Sequence, residues 1–224
     1  MSHRIVIIGG MGPQASLELH RRLLQVAATH GAVNGDDFPE VLHISIPVPD
    51  FISSGSHRTG LERIKQSLKG AQFKKGDRMV LACNTAHILL PEIERFCDVQ
   101  FVSLIDIAIR AVTEQNVSCV GLLTSPTTLK MGLYEKPLLG KGFKIVMPEN
   151  GELDVLENAI RAVISNKSVE TVADKLEPIM KRMRQSGAES IILGCTELSV
   201  IFNKTQDKTL IDPFTGVCKQ LIEV

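Results

Sequence analysis

The chain has 224 residues, 25 Lys and Arg against 25 Asp and Glu, and 44% hydrophobic residues, enough for one large domain or two small lobes with a real core. Zero net charge argues against nucleic acid or an anionic membrane surface as the main partner, since both demand a basic face. No apolar run approaches the roughly 18 residues needed to span a bilayer, and five cysteines without close pairs do not form a secreted disulfide framework or a zinc spacing, so a reducing cytoplasm is the expected location.

Strand-like and amphipathic runs alternate along the chain. Arg4-Ile-Val-Ile-Ile8 runs straight into a Gly-rich turn, which reads as a first strand (Ile5–Ile8) and not as a signal peptide. The turn Gly9-Gly-Met-Gly-Pro13 precedes a helix to about residue 29. A strand is expected over 40–46, a Pro-, Ser- and Gly-rich loop over 47–57, a helix near 60–73, a strand over 78–82, a short strand over 99–104 and a helix over 105–114. The second half repeats the theme: strand 119–123, a turn at Thr124-Ser-Pro-Thr-Thr128, strand 143–146, two helices, strand 189–194, the short strand Leu210–Ile211 and a final helix from Pro213. The later of the two helices places Val169, Val172, Leu176, Ile179, Met180 and Met183 on one face. Strands alternating with helices predict parallel sheets covered on both faces.

Two cysteines stand out. Cys83 lies in Met79-Val-Leu-Ala-Cys-Asn-Thr-Ala-His87 and Cys195 in Ile191-Ile-Leu-Gly-Cys-Thr-Glu-Leu198, 112 residues apart. Each follows an apolar run and one small residue, and each precedes residues of N-cap type. Both thiols are therefore expected at the C-terminal ends of strands against helix N-termini, where open α/β sheets bind ligands and where a thiol is most easily ionised. Ile8 corresponds to Leu123 and Cys83 to Cys195, which suggests an internal duplication. The expected fold is α/β, with two pseudo-symmetric lobes, each a mainly parallel sheet flanked by helices, and an active site in the cleft between them. Residues 1–103 with 210–224 are expected to form the first lobe and 104–209 the second.

One thiol on each side of a cleft suits inversion of a stereocentre beside a carboxylate: one group removes the α-proton and the other returns a proton to the opposite face. Cys97, Cys119 and Cys218 lack this setting and read as packing residues. The glycines of the first turn let backbone N–H groups approach an anion, so Gly10, Met11 and Gly12 are expected to hold a carboxylate or phosphate. The turn lacks the Lys of a P-loop and does not match G-x-G-x-x-G. Thr124, Thr127 and Thr128 occupy the matching place in the second half and can offer hydroxyls to the same anion. Asn84, Thr85 and Thr196 sit beside the thiols, where capping explains them about as well as carboxylate or amine binding. His87 can orient or charge the first thiol. Glu197 can bind a substrate amine, tune the second thiol, or simply favour a helix N-terminus.

These residues resemble the aspartate/glutamate racemase superfamily, specifically its aspartate racemase branch. The resemblance spans nearly the whole chain. It rests on Ile8-Gly-Gly-Met-Gly-Pro13, Cys83-Asn-Thr-Ala-His87, Gly121-Leu-Leu with Tyr134-Glu135, Gly187-Ala-Glu with Gly194-Cys-Thr-Glu197, and Ile211-Asp-Pro213. It implies two α/β lobes, an interlobe active site, no pyridoxal phosphate or other cofactor, proton transfer by two cysteines, an amino-acid substrate and a homodimer. It also implies that Cys83 serves the D-enantiomer and Cys195 the L-enantiomer. Two positions depart from the branch. Phe51 follows Pro49-Asp50 where Arg is common, and Ser165 stands where Lys is common, both being cations for the distal carboxylate. Arg58 and Lys167 are out of register. Aspartate or glutamate is the first expectation for substrate, with a neutral side chain as a further one. The alternatives are a related isomerase or decarboxylase working through an enolate-like intermediate, and a non-catalytic amino-acid or dicarboxylate binder.

Overall fold

The computed structural model describes residues 4–49, 51 and 57–222. Most of the 47–57 loop, expected from its composition, therefore lies outside the described residues. Among the described residues eight strands and ten α-helices follow one another as β1 (Ile5–Gly9), α1 (Pro13–Thr29), β2 (Val41–Ser45), α2 (His57–Leu68), β3 (Arg78–Leu81), α3 (Leu90–Cys97), β4 (Phe101–Val102), α4 (Leu104–Glu114), β5 (Cys119–Leu123), α5 (Pro126–Met131), α6 (Glu135–Gly140), β6 (Lys144–Val146), α7 (Asn150–Ile164), α8 (Glu170–Gln185), β7 (Ser190–Leu193), α9 (Thr196–Ile201), β8 (Leu210–Ile211) and α10 (Pro213–Ile222). Among the described residues no helix is long and apolar enough to cross a membrane.

The strands form two four-stranded sheets, ordered β2-β1-β3-β4 and β6-β5-β7-β8, and every pairing is parallel. The second order is the first shifted by four strands, as a duplicated α/β unit requires. The central strands explain their apolar runs. Ile5 and Ile7 face a core shared with α1, α4 and α10, whereas Val6 and Ile8 face one shared with α2 and α3. In the second sheet, Ile191 and Leu193 pack under α7 and α8, and Ile192 packs toward α4 and Tyr134. Both faces are covered, so successive residues are apolar without alternation.

Three boundaries differ from expectation. Helix α2 stops at Leu68 rather than near 73, two residues before Gly70. The helix expected to open directly after Cys83 begins as a 3-10 turn over Thr85–Leu89, and the α-helix proper, α3, starts only at Leu90. Leu210–Ile211, expected with the first lobe, pairs with β7 in the second sheet, and only α10 returns to the first-lobe core.

Arg22 of α1 pins this return. Its guanidinium donates to Glu18 one turn earlier, to Asp212 between β8 and α10, and to the Ser199 carbonyl of α9. Asp212 also accepts from Ser199 Oγ at 2.7 Å and from the Phe214 backbone N–H at 3.0 Å. One side chain thus ties a first-lobe helix to the element that carries Cys195. Replacing Arg22 by Met keeps the aliphatic length but strips the largely buried Asp212 of its cation and leaves Glu18 with Arg21 alone. The expected loss is about 3 kcal/mol of unfolding free energy, measured by urea denaturation. An unchanged midpoint would contradict the role given to this pair.

Candidate active site

Strand register places the two thiols. Ile8 pairs with Leu81 and Leu123 with Leu193, and each cysteine follows its strand's last paired residue by two. Cys83 is half-buried and Cys195 is buried. The charge of Cys83 contributes to raising the pKa of Cys195, so the thiols from the two sheets lie within electrostatic reach of each other. Cys195 is the N-cap of α9, and the Glu197 backbone N–H points at its sulfur. The Thr85 and Ala86 N–H groups do the same for Cys83.

These N–H groups favour thiolates, as the sequence suggested, but they are outweighed. Burial and the nearby Glu197 carboxylate push Cys83 up to about 12. The same two causes hold Cys195 well above its ordinary range. The expected easy ionisation is therefore reversed in the free protein: both thiols hold their protons at neutral pH. Cys195 Sγ donates to Glu197 Oε2 at 3.0 Å, and the Thr196 hydroxyl donates to the same oxygen at 3.2 Å. Burial raises Glu197 as well, against those hydrogen bonds.

Glu197 reaches the Gly-rich turn of the other lobe. Its Oε1 occupies the position where a Cβ on Gly12 would sit. Gly12 is thus obligatory for packing, and the N-terminus of α1, expected to face an anion, faces this carboxylate. Gly10 adopts φ +92°, and a Cβ there would strike the Ile46 backbone. Met11 is half-buried against the first-lobe core.

The remaining predicted residues form the seam. Thr85 Oγ1 of the first lobe lies 2.7 Å from Thr128 Oγ1 and 3.1 Å from Ser125 Oγ of the second. Thr127 is buried beside them. Thr124 donates to the Gly194 carbonyl at 2.8 Å, tying the end of β5 to that of β7. Asn84 is 2% exposed and its Oδ1 accepts from the Tyr134 hydroxyl at 2.6 Å. Ser125, Tyr134, Arg22 and Asp212 were given no role by sequence reasoning. Ser125 lay inside a quoted turn and Tyr134 is the chain's single tyrosine, so each left a faint signal.

His87 orients the site instead of charging it. Its Nε2 accepts from the Leu104 N–H at 3.0 Å, so the proton sits on Nδ1, which lies 2.8 Å from the Cys83 carbonyl. Burial lowers its pKa to about 4. Phe51 is buried in the first-lobe core, stacked on His57 and fitted against Gly60. Ser165 is an exposed C-cap of α7 whose hydroxyl donates to the Arg161 carbonyl at 2.8 Å. Among the described residues no cluster of His, Cys, Asp and Glu has metal-binding form.

A sequence model of the Asp/Glu/Hydantoin racemase family matches residues 8–221. The chain belongs to that family, and with it to the racemases among the isomerases. A broad specificity amino-acid racemase of Bacillus subtilis is 22% identical over 226 residues, covering 97% of this chain and 96% of its own. The structure is similar to that of an aspartate racemase from Picrophilus torridus, with a TM-score of 0.82, 25% identity, and coverage of 99% of this chain and 94% of that one. A glutamate racemase from Bacillus anthracis shares the fold at a TM-score of 0.60 and 20% identity, over 98% of this chain and 80% of that one.

Two pH effects follow. Alkylation of Cys83 by iodoacetamide, resolved by mass spectrometry, should keep accelerating beyond pH 10 rather than level off near the free-cysteine pKa of about 8.5. Glu197→Gln removes a charge that raises both thiols, so alkylation of both at pH 8 should quicken several-fold; no change would exclude Glu197 as their cause. Separately, between pH 6.5 and about 4 the unfolded chain binds a proton at His87 that the native protein does not. Stability should therefore fall as pH drops through that window, by roughly 3 kcal/mol from this ring. Denaturant titrations of the wild type and of His87→Gln should converge as pH falls to 4.

Proposed function

We propose that this protein is an amino-acid racemase independent of pyridoxal phosphate, acting most readily on aspartate or glutamate by two-base proton transfer. The observation that carries this reading is the pair of thiols at register-equivalent strand ends of two duplicated sheets, close enough that a thiolate at Cys83 would raise Cys195. In the reaction, one cysteine acts as thiolate and removes the α-proton from one face. The other, as thiol, donates its proton to the opposite face, so after turnover the two have exchanged protonation states. By family resemblance Cys83 is the base toward the D-enantiomer and Cys195 toward the L-enantiomer.

The free site holds two protonated thiols, so one proton must leave before turnover. The negative charge of Glu197 opposes that loss. An α-ammonium bound beside Glu197 offsets it, which links formation of the thiolate to substrate binding. Asn84, Thr85, Thr196 and the Gly10–Gly12 turn, with Thr124, Thr127 and Thr128 from the other lobe, are the proposed substrate-binding groups. The lobes would meet as residues 1–103 with the C-terminal helix against the intervening segment. A homodimer in the cytoplasm completes the proposal. Placement with the aspartate racemase branch is supported by Glu197 after Cys195-Thr196 and by the likeness to the Picrophilus torridus aspartate racemase.

Proton NMR in D₂O without added cofactor tests the reading. The α-proton signal of at least one of L-Asp, D-Asp, L-Glu, D-Glu, L-Ala and L-Ser should disappear. Cys83→Ala and Cys195→Ala should each slow racemisation by about 10²- to 10⁴-fold, the usual contribution of a positioned acid or base. Full racemisation in either variant would refute the two-cysteine mechanism, and no exchange from any of the six would refute the racemase reading of this site.

A further inference from the structure

Tyr134 is the N-cap residue of α6, and it is completely buried. Its ring belongs to the second-lobe core with Ile105, Ile109, Leu122 and Ile192. Its hydroxyl leaves that core and donates across the seam to Asn84 Oδ1, the residue after Cys83, at 2.6 Å. The other end of the same amide, Asn84 Nδ2, is buried and has no hydrogen-bond partner among the described residues. A buried amide N–H₂ without a partner is costly and rare in native proteins.

The two facts belong together. An asparagine amide can present either its oxygen or its nitrogen to a given direction, and only its neighbours decide which. A phenolic O–H that donates to Oδ1 fixes the choice: the oxygen faces Tyr134 and both N–H bonds face elsewhere. Burial keeps Tyr134 protonated, with the negative charge of Asp212 acting in the same sense, so the donor stays a donor.

We propose that Tyr134 is a positioning residue that locks the Asn84 amide with Nδ2 directed at a substrate carboxylate. The consequence for turnover rests on the racemase reading above, while the carboxylate-binding geometry does not. As the α-proton leaves, negative charge grows on the substrate carboxylate. A fixed N–H donor then gains strength in the transition state, whereas a freely rotating amide would present its oxygen, and repulsion, part of the time. Tyr134 touches no reacting atom. It acts only through Asn84.

The test has two arms. In the first, the Asn84 side-chain amide is followed by ¹⁵N NMR and assigned by its loss in Asn84→Asp. Acetate, then L-Asp, D-Asp, L-Glu and L-Ala, are the probes. In the wild type at least one carboxylate should shift this resonance saturably. In Tyr134→Phe, which keeps the ring and the packing, that affinity should fall about 10- to 100-fold, the usual effect of losing one buried hydrogen bond. Asn84→Asp retains an acceptor for Tyr134 but presents oxygen to the carboxylate, and it should bind equally poorly when probed by calorimetry. If no carboxylate moves the Asn84 resonance in the wild type, or if Tyr134→Phe binds with unchanged affinity, the proposal is overturned. The second arm separates it from the racemase reading. Should α-proton exchange be absent while the first arm succeeds, the racemase reading falls and the positioning role stands. Where exchange is present, Tyr134→Phe should lower kcat/KM in the wild-type background and have no further effect on Asn84→Ala. Equal losses in both backgrounds would show that Tyr134 merely supports the core, and would overturn the proposal.

Discussion

The buried carboxylate of Glu197 is the constraint around which the site is arranged. It sits at the start of α9, receives the Cys195 thiol and the Thr196 hydroxyl, and leans into the space left by the missing side chain of Gly12. A buried charge without a full counter-charge is expensive, and three features reduce that cost here: two hydrogen-bond donors, its own backbone N–H, and the N-terminal end of α1 nearby. The residual penalty shows as the raised pKa of Glu197 and of both thiols. The same charge that makes the empty site resist ionisation makes it receptive to a cation, and an amino acid brings one beside the α-carbon.

That arrangement works only if the two lobes keep a fixed relation, since Gly12 comes from one and Glu197 from the other. The seam supplies this at several points. Arg22 joins α1 to Asp212 and the Ser199 carbonyl, the Thr85, Ser125 and Thr128 hydroxyls meet across the gap, and Tyr134 reaches Asn84. Helix α4 adds an apolar bridge, burying Leu104 and Ile107 in one lobe and Ile105, Ala108 and Ile109 in the other. The Thr85, Ser125 and Thr128 hydroxyls are short side chains at helix ends, so little rotamer entropy is lost in holding them.

How much of this was legible in the sequence depended on range. Strand ends were readable because parallel strands buried on both faces need unbroken apolar runs, and a small residue followed by Cys and a capping type marks where each run stops. The duplication was readable for the same reason. The helix expected directly after Cys83 starts late because Thr85–Leu89 form a tight 3-10 turn, and the α-helix opens only at Leu90-Pro91. Phe73, partly buried against the same core, extends the apolar pattern past Gly70, although helix α2 ends at Leu68. The state of the thiols was not legible at all. Local sequence showed the helix N-termini that lower a thiol pKa, while the opposing causes, burial and a carboxylate seated against a glycine of the other lobe, exist only after the lobes meet. The Tyr134–Asn84 contact spans 50 residues and was invisible for the same reason.

The high thiol pKa values are not at odds with proton transfer. The α-proton of an amino acid is a very weak acid, and the strength of a general base follows its own pKa. A thiolate formed where burial disfavours it is a stronger base than one stabilised by N–H groups alone. The penalty moves to the step that creates the thiolate, which a bound ammonium beside Glu197 can offset. Burial and the Glu197 carboxylate raise both Cys83 and Cys195, so on the proposed two-base reading either thiolate, once formed, would be a strong base.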